Sequence, residues 1–135
     1  MILTIDTFAW AELIRGSTLA SRAREEMEQA DLCLTPSIVM AEVASMCVRD
    51  RFDDRTIEGE LESIRESSVI VPIDDSIAIS GAHVVEELRA NARARRVPLP
   101  GLADALVLAT ARKLHSGLLS GAAHFRDCPE TVWLG

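Results

Sequence analysis

Three acidic side chains differ from the other carboxylates of the chain because their sequence neighbours are apolar. Asp6 follows Ile-Leu-Thr-Ile, Glu42 interrupts the stretch Ile-Val-Met-Ala-Glu-Val-Ala, and Asp104 is flanked by Leu-Ala and Ala-Leu-Val-Leu. Most of the 21 acids lie in charged surroundings such as residues 53–66. An ionised carboxylate is costly to bury unless it is paired or bound to a cation. These three acids are therefore the candidates for chemistry.

The predicted elements can bring the three acids to one edge of a sheet. Asp6 ends a predicted strand, and Asp104 lies in the first turn of a predicted helix, where the helix dipole favours its charged form. Glu42 lies about two turns into another helix. If the three converge, their repulsion favours a bound divalent cation, and all-oxygen ligation suits Mg²⁺ or Mn²⁺. Each acid also has a structural alternative: Asp6 and Asp104 can cap helices, and Glu42 can face solvent.

Short apolar runs alternate with helical patterns along the whole chain. Strands are predicted over residues 2–6, 32–34, 69–71, 117–120 and 131–134, and helices over 8–14, 18–29, 35 to about 51, 53 to about 66, 74 to about 95, and 102–115. Gly16 is expected to end the first helix, and Thr35 and Pro36 to open the third. This order predicts an α/β fold, a parallel sheet covered on both faces, in a single domain over residues 1–135.

The composition excludes several classes of protein. With 48% hydrophobic residues the chain can form a core, so disorder is excluded. No apolar run reaches the roughly 20 residues that span a bilayer, and the N-terminus lacks a basic signal region, so we expect a cytoplasmic chain with no membrane contact. Three distant cysteines indicate free thiols. No His-based zinc motif or glycine-rich phosphate loop occurs, so a phosphate would belong to a substrate.

The charge is unevenly distributed although the net value is −7. Residues 50–75 hold nine acids and three bases, whereas residues 89–115 hold six bases and one acid. Because phosphate contacts need Lys and Arg, the second segment is the candidate surface for binding a phosphate-bearing substrate. The alternative is a solvated helix end, where cations also favour the dipole. The six candidate residues for this binding are Arg89, Arg93, Arg95, Arg96, Arg112 and Lys113.

The sequence resembles PIN-domain proteins, specifically VapC-type toxins of toxin–antitoxin pairs. The matching segments lie in the family's order along the chain: Leu-Thr-Ile-Asp-Thr at 3–7, Thr-Pro-Ser-Ile-Val-Met-Ala-Glu-Val at 35–43, Val-Pro-Ile-Asp at 71–74, Leu-Ala-Asp-Ala-Leu-Val-Leu-Ala-Thr-Ala at 102–111, and Leu-Leu-Ser-Gly with His-Phe-Arg-Asp at 118–127. The resemblance implies a PIN-like three-layer fold with a five-stranded parallel sheet. It also implies a metal-dependent endoribonuclease whose acids at Asp6, Glu42 and Asp104 bind Mg²⁺ or Mn²⁺ and activate water.

The same resemblance implies partners, and the chain departs from the family at one position. VapC-type toxins are usually homodimers that cut RNA and are inhibited by a cognate antitoxin. The family often has an acid two residues after the Thr or Ser of its last motif, where this chain has Ala122 after a retained Ser120. Ser120 can still donate a hydrogen bond to water or to a carboxylate. The second hypothesis is therefore a catalytically impaired PIN-fold protein that binds antitoxin or RNA.

Overall fold

The sheet has five parallel strands in the order β3-β2-β1-β4-β5 in the computed structural model, which describes residues 1–135. The strands are β1 (Ile2–Ile5), β2 (Leu32–Pro36), β3 (Val69–Val71), β4 (Gly117–Ser120) and β5 (Thr131–Trp133). Three consecutive residues of β1, Leu3 to Ile5, are buried, so both faces of the central strand are covered. The predicted α/β fold with five parallel strands is confirmed.

Six α-helices flank the sheet. They are α1 (Thr7–Arg15), α2 (Ala20–Gln29), α3 (Ser37–Arg49), α4 (Asp54–Ser67), α5 (Asp75–Arg95) and α6 (Leu102–Lys113). A 3₁₀ turn (Ala123–Phe125) lies between β4 and β5. None of the helices combines the length and the apolar character that a membrane crossing requires.

Capping residues determine where several helices begin and end. Asp6, Asp53 and Asp74 cap α1, α4 and α5, each accepting a hydrogen bond from the N–H three residues further on, at 2.8 to 2.9 Å. Gly16 ends α1 with φ +64°, as predicted, because glycine adopts this left-handed conformation without a steric penalty. The second helix begins at Ala20, two residues later than predicted.

Thr35 and Pro36 continue β2, so the expectation that they open α3 is wrong. Both residues pair with β3, Thr35 opposite Ile70 and Pro36 opposite Val71. The Thr35 hydroxyl accepts a hydrogen bond from Trp10 Nε1 at 3.2 Å, and its oxygen lies 2.7 Å from that of Ser68. These contacts with distant segments hold Thr35 in the extended strand and away from a capping conformation.

One apolar cluster joins the sheet to its helices. Twenty-five buried residues form it. They include Leu3 and Ile5 of the central strand β1 and Leu118 and Leu119 of the neighbouring strand β4. Cys33, Cys47 and Cys128 are all free thiols, as the spacing predicted. The core therefore needs no disulfide, and it fixes the strands whose carboxyl ends carry the candidate acids.

Candidate active site

Asp6 lies at the carboxyl end of β1, directly before α1. The residue is only 4% exposed, and its Oδ1 accepts a hydrogen bond from the Ala9 N–H at 2.9 Å. Burial raises the pKa of Asp6 to about 7, the Ser120 hydroxyl and the Ala9 N–H oppose the rise, and the charge of Asp104 adds to it. No basic side chain forms an ion pair with this carboxyl, so a bound cation would favour its charged form.

Ser120 reaches the same place from the neighbouring strand. Ile5 of β1 pairs with Leu119 of β4, so the residues that follow them, Asp6 and Ser120, lie side by side. Ser120 is fully buried, and its Oγ accepts a hydrogen bond from the Ala122 N–H at 3.0 Å. The structure thus places the predicted supporting residue beside the buried acid.

Asp104 lies in the first turn of α6 and faces Asp6 across the edge of the sheet. Its Oδ2 accepts a hydrogen bond from the Gly101 N–H at 3.0 Å, which is half of a capping box. Burial acts to raise the pKa of Asp104, but the nearby His124 ring and the Gly101 N–H outweigh it and leave the pKa below its ordinary value. The surroundings of Asp104 therefore favour its charged form, whereas those of Asp6 disfavour it.

His124 contacts Asp104 from the 3₁₀ turn after β4. Its Nε2 lies 3.2 Å from Oδ1 of Asp104, the carboxylate oxygen that Gly101 does not use. The ring nitrogen is buried, yet its geometry gives no aligned hydrogen bond with any group of the protein. The imidazole and the carboxylate are therefore in close electrostatic contact, but Nε2 has no hydrogen-bond partner.

Glu42 lies on α3 and is tied to the residue after Asp6. The Thr7 hydroxyl donates a hydrogen bond to Oε1 of Glu42 at 2.6 Å. The glutamate is half-buried, so its side chain turns toward α1 rather than pointing freely into solvent. Asp6 and Asp104 thus lie at the same strand end, and Glu42 is connected to it only through Thr7, the residue after Asp6.

The donor chemistry of this edge fits a divalent cation, although the side chains do not form a closed ligand set. Asp6 is a buried carboxyl that forms no ion pair, Asp104 lies close enough to act on it, and carboxylate oxygens suit Mg²⁺ or Mn²⁺. Each carboxylate instead contacts protein groups, and no three His, Cys, Asp or Glu side chains are gathered closely enough to hold one ion. Binding would therefore require the carboxylates to exchange these contacts for the ion.

Four of the six candidate RNA-binding residues contact other groups of the protein, and two do not. Arg112 pairs with Glu87 and Glu130, and Lys113 pairs with Asp74, all at the end of α6 remote from Asp104. Arg95 pairs with Asp127, and Arg89 donates to the Pro100 carbonyl. The remaining two, Arg93 and Arg96, are exposed and form no ion pair. They lie at the end of α5 that adjoins the start of α6.

Comparison with known families tests the resemblance to PIN domains. The PIN domain family model matches residues 3–129, nearly the whole chain. The chain belongs to the PIN domain family. The resemblance predicted from the sequence motifs is confirmed at this level, and the match includes all three candidate acids of this PIN chain.

Solved structures with the same fold include toxins and toxin–antitoxin complexes. A toxin–antitoxin complex from Klebsiella pneumoniae is similar with a TM-score of 0.73 and 21% identity, over 98% of both chains. VapBC2 from Rickettsia felis, bound to a DNA fragment from its promoter, has a TM-score of 0.68 and 16% identity, over 98% of this chain and 97% of that one. VapC20 from Mycobacterium tuberculosis, a sarcin–ricin loop cleaving toxin, has a TM-score of 0.65 and 15% identity, over 86% of each chain.

These identities are low, so the structural likeness establishes the PIN fold and nothing finer. No curated protein matches the sequence of the chain significantly. The site residues of this PIN chain are therefore assigned from its own contacts. Two of them, Thr7 and His124, were not predicted as site residues. Both lie in motifs quoted above, at 3–7 and 118–127, but no local pattern indicated their contacts with Glu42 and Asp104.

Proposed function

We propose that this PIN-domain chain is the toxin of a type II toxin–antitoxin pair, of the VapC type, and cuts RNA as a metal-dependent endoribonuclease in the cytoplasm. The observation that carries the proposal is the buried carboxyl of Asp6 beside Asp104 at the carboxyl edge of a PIN sheet. Such a pair is costly to maintain without a cation. Family membership and the toxins among the structures of the same fold support the proposal.

The residues of the chain have separate tasks in the proposed hydrolysis. Asp6, Glu42 and Asp104 would hold Mg²⁺ or Mn²⁺, which supplies an activated water and neutralises charge on the phosphoryl group. Thr7 orients Glu42 through its 2.6 Å hydrogen bond, and Ser120 lies beside Asp6, where its hydroxyl can orient the carboxylate. The N-terminus of α6 adds a positive dipole end at Asp104, which favours a nearby phosphate.

The test is cleavage of a broad RNA pool by the purified chain, free of antitoxin, with Mg²⁺, with Mn²⁺ or with a chelator. We expect cleavage only with metal. Asp6→Asn and Asp104→Asn should each lower the rate about 100-fold or more, because each removes a charge that stabilises the ion and tenfold in rate corresponds to about 1.4 kcal/mol. Asp54→Asn, an exposed acid in the first turn of α4, is the matched control and should cut at the parental rate.

The second candidate function is binding without cleavage, and the observation that favours it is Ala122. If the parent is inactive but Ala122→Asp cuts RNA in a metal-dependent way, the chain is an impaired PIN protein that acts through antitoxin or RNA binding. Cleavage by the parent that depends on Asp6 contradicts this alternative. Cleavage that survives Asp6→Asn in folded protein contradicts the leading proposal.

An apolar groove is the proposed site for the antitoxin. It lies between α1, α2 and α4 and has a volume of about 400 Å³. Its apolar lining residues are Trp10, Leu13, Ile14, Met27, Cys33 and Ile64. Arg24, Glu28 and Glu60 also line the groove, so an amphipathic segment with charges of both signs would fit it. Solved structures of the same fold that are toxin–antitoxin complexes support this partner. From the resemblance to VapC-type toxins, we also expect the free toxin to be a homodimer.

A further inference from the structure

His124 has a buried ring nitrogen that the fold leaves without a hydrogen bond. The 3₁₀ turn after β4 carries the imidazole to the edge of the sheet, where the side chain is 19% exposed and Nε2 has no accessible surface. A buried polar atom without a partner is uncommon in native proteins and requires an explanation such as an ion or a functional role. The neighbouring groups are carboxylates, and both Asp104 and Asp6 interact electrostatically with this ring.

The distance between the imidazole and Asp104 matches that of two donors that share a metal ion. Adjacent ligands of an octahedral ion with bonds of about 2.0–2.1 Å lie about 3 Å apart. Nε2 of His124 lies 3.2 Å from Oδ1 of Asp104. Oδ2 is already occupied by the Gly101 N–H, so Oδ1 is the oxygen of Asp104 that remains for an ion. Neither atom has another partner in the protein, and their separation is close to that of two adjacent ligands of one ion.

We propose that His124 is a nitrogen ligand of the metal site and takes the part of the fourth acid that Ala122 replaces. This inference rests on the proposed function, since it adds a ligand to the same ion. Imidazole nitrogen binds Mn²⁺ and other transition ions better than it binds Mg²⁺. The site therefore combines carboxylate oxygens with one imidazole nitrogen, and it prefers Mn²⁺ over Mg²⁺.

Pulsed electron paramagnetic resonance of the Mn²⁺-loaded chain tests the ligand directly, without an activity assay. The unpaired electrons of Mn²⁺ couple to the ¹⁴N nuclei of a bound imidazole much more strongly than to nitrogens that do not ligate the ion. We expect ¹⁴N modulation in the parent, its loss in His124→Ala, and its retention in His83→Ala. His83 is an exposed histidine of α5 in no ion pair, so its variant is the matched control.

Calorimetric titration with each ion gives the second readout. His124→Ala should weaken Mn²⁺ binding about tenfold or more, because even outer-shell substitutions cost 10- to 100-fold in metal affinity, with a smaller effect on Mg²⁺. His124→Asp replaces the nitrogen by oxygen, so we expect it to restore binding, to lack the ¹⁴N signal and to favour Mg²⁺. Far-UV circular dichroism and thermal unfolding establish that each variant is folded.

The outcomes separate this inference from the function on which it rests. Mn²⁺ that binds in an Asp6-dependent way without ¹⁴N modulation overturns the role of His124 and leaves the proposed nuclease intact. A ¹⁴N signal that persists in His124→Ala, or tighter binding of Mg²⁺ than of Mn²⁺ by the parent, also overturns it. A chain that binds neither ion contradicts both this inference and the metal dependence of the proposed function.

Discussion

At the scale of single residues, Asp6 stabilises the fold through one contact and destabilises it through its surroundings. Its carboxylate caps α1, which is worth about 1 kcal/mol. Burial beside Asp104 raises its pKa from 3.8 to about 7, and one pKa unit corresponds to about 1.4 kcal/mol. Ionising Asp6 in the folded chain therefore costs more than the cap contributes. The charge of Asp6 therefore does not stabilise the fold, which agrees with a role of that charge in binding a cation.

Asp6→Asn is expected to raise stability at pH 8 and to do so less at pH 5. The folded pKa lies above the unfolded one, so stability is complete below pH 3.8 and falls as pH rises toward about 7. Asparagine retains the cap and has no charge, so in chelator it should add on the order of 2 kcal/mol at pH 8. Urea unfolding at the two pH values measures the difference, and an equal effect at both contradicts the buried charge.

At the scale of elements, α6 positions Asp104 at the site, and almost all sides of this helix are buried. Seven consecutive residues, Ala105–Ala111, are buried, which is typical of a helix enclosed within the protein. α5 packs along α6 at Gly81, where an added Cβ would lie 2.7 Å from the side chain of Leu106. The position of Asp104 therefore depends on a glycine more than 20 residues away in sequence.

Gly81→Val is expected to lower the free energy of unfolding by about 1–3 kcal/mol, because the added side chain overpacks the contact between α5 and α6. Gly59→Val on α4 is the matched control. A Cβ there meets nothing within 4 Å, so the change should stay within about 0.5 kcal/mol. Chemical denaturation compares the two variants. If the two substitutions lower the free energy of unfolding equally, helix propensity and not packing determines the effect at Gly81.

The sequence predicts the elements better than it predicts the contacts between them. Apolar runs located all five strands, and Gly16 and the capping aspartates marked helix ends, because these signals act within a few residues. Pro36 was assigned to a helix since its strand conformation depends on pairing with β3. The contact of His124 with Asp104 depends on a turn that follows a different strand, so no local pattern carries it.

At the scale of the whole molecule, the proposed antitoxin groove and the proposed catalytic edge are formed by different sets of residues. None of Asp6, Glu42 or Asp104 lines the groove between α1, α2 and α4. The groove and the acids can therefore be altered by separate substitutions. This separation makes antitoxin binding and RNA cleavage testable one at a time.

Ile14→Glu is expected to abolish antitoxin binding and to leave metal-dependent RNA cleavage unchanged. Ile14 is half-buried in the groove lining, so a buried charge there would oppose an apolar partner segment. Co-purification of the tagged chain with its co-expressed antitoxin measures the first effect. Ile79→Glu on α5, at a residue that is 63% exposed outside the groove, is the control and should still co-purify. Normal binding by Ile14→Glu places the antitoxin elsewhere.

The unpaired arginines at the end of α5 are the place where we expect the proposed RNA substrate to approach the site. The loop over residues 97–101 returns the chain, and the contact of Arg89 with Pro100 holds it, so Arg93 and Arg96 lie near the first turn of α6. Because the other candidate bases contact acidic or carbonyl groups of the protein, these two have the most charge available for phosphates. The long-range contribution of the net charge of −7 opposes binding, so affinity should depend on this local patch.

The double variant Arg93→Glu/Arg96→Glu is expected to weaken RNA binding by about tenfold or more. The slope of log affinity against log salt concentration should also become shallower, by an amount that corresponds to about one to two lost phosphate contacts. The variant Arg22→Glu/Arg55→Glu changes the net charge equally through exposed arginines of α2 and α4 that form no ion pair. Fluorescence anisotropy with a labelled single-stranded RNA, in chelator to prevent cleavage, gives the affinity at several salt concentrations. If only total charge matters, the two variants bind alike with parallel salt slopes. If the patch at the end of α5 leads RNA to the acids, only the first variant loses both affinity and slope.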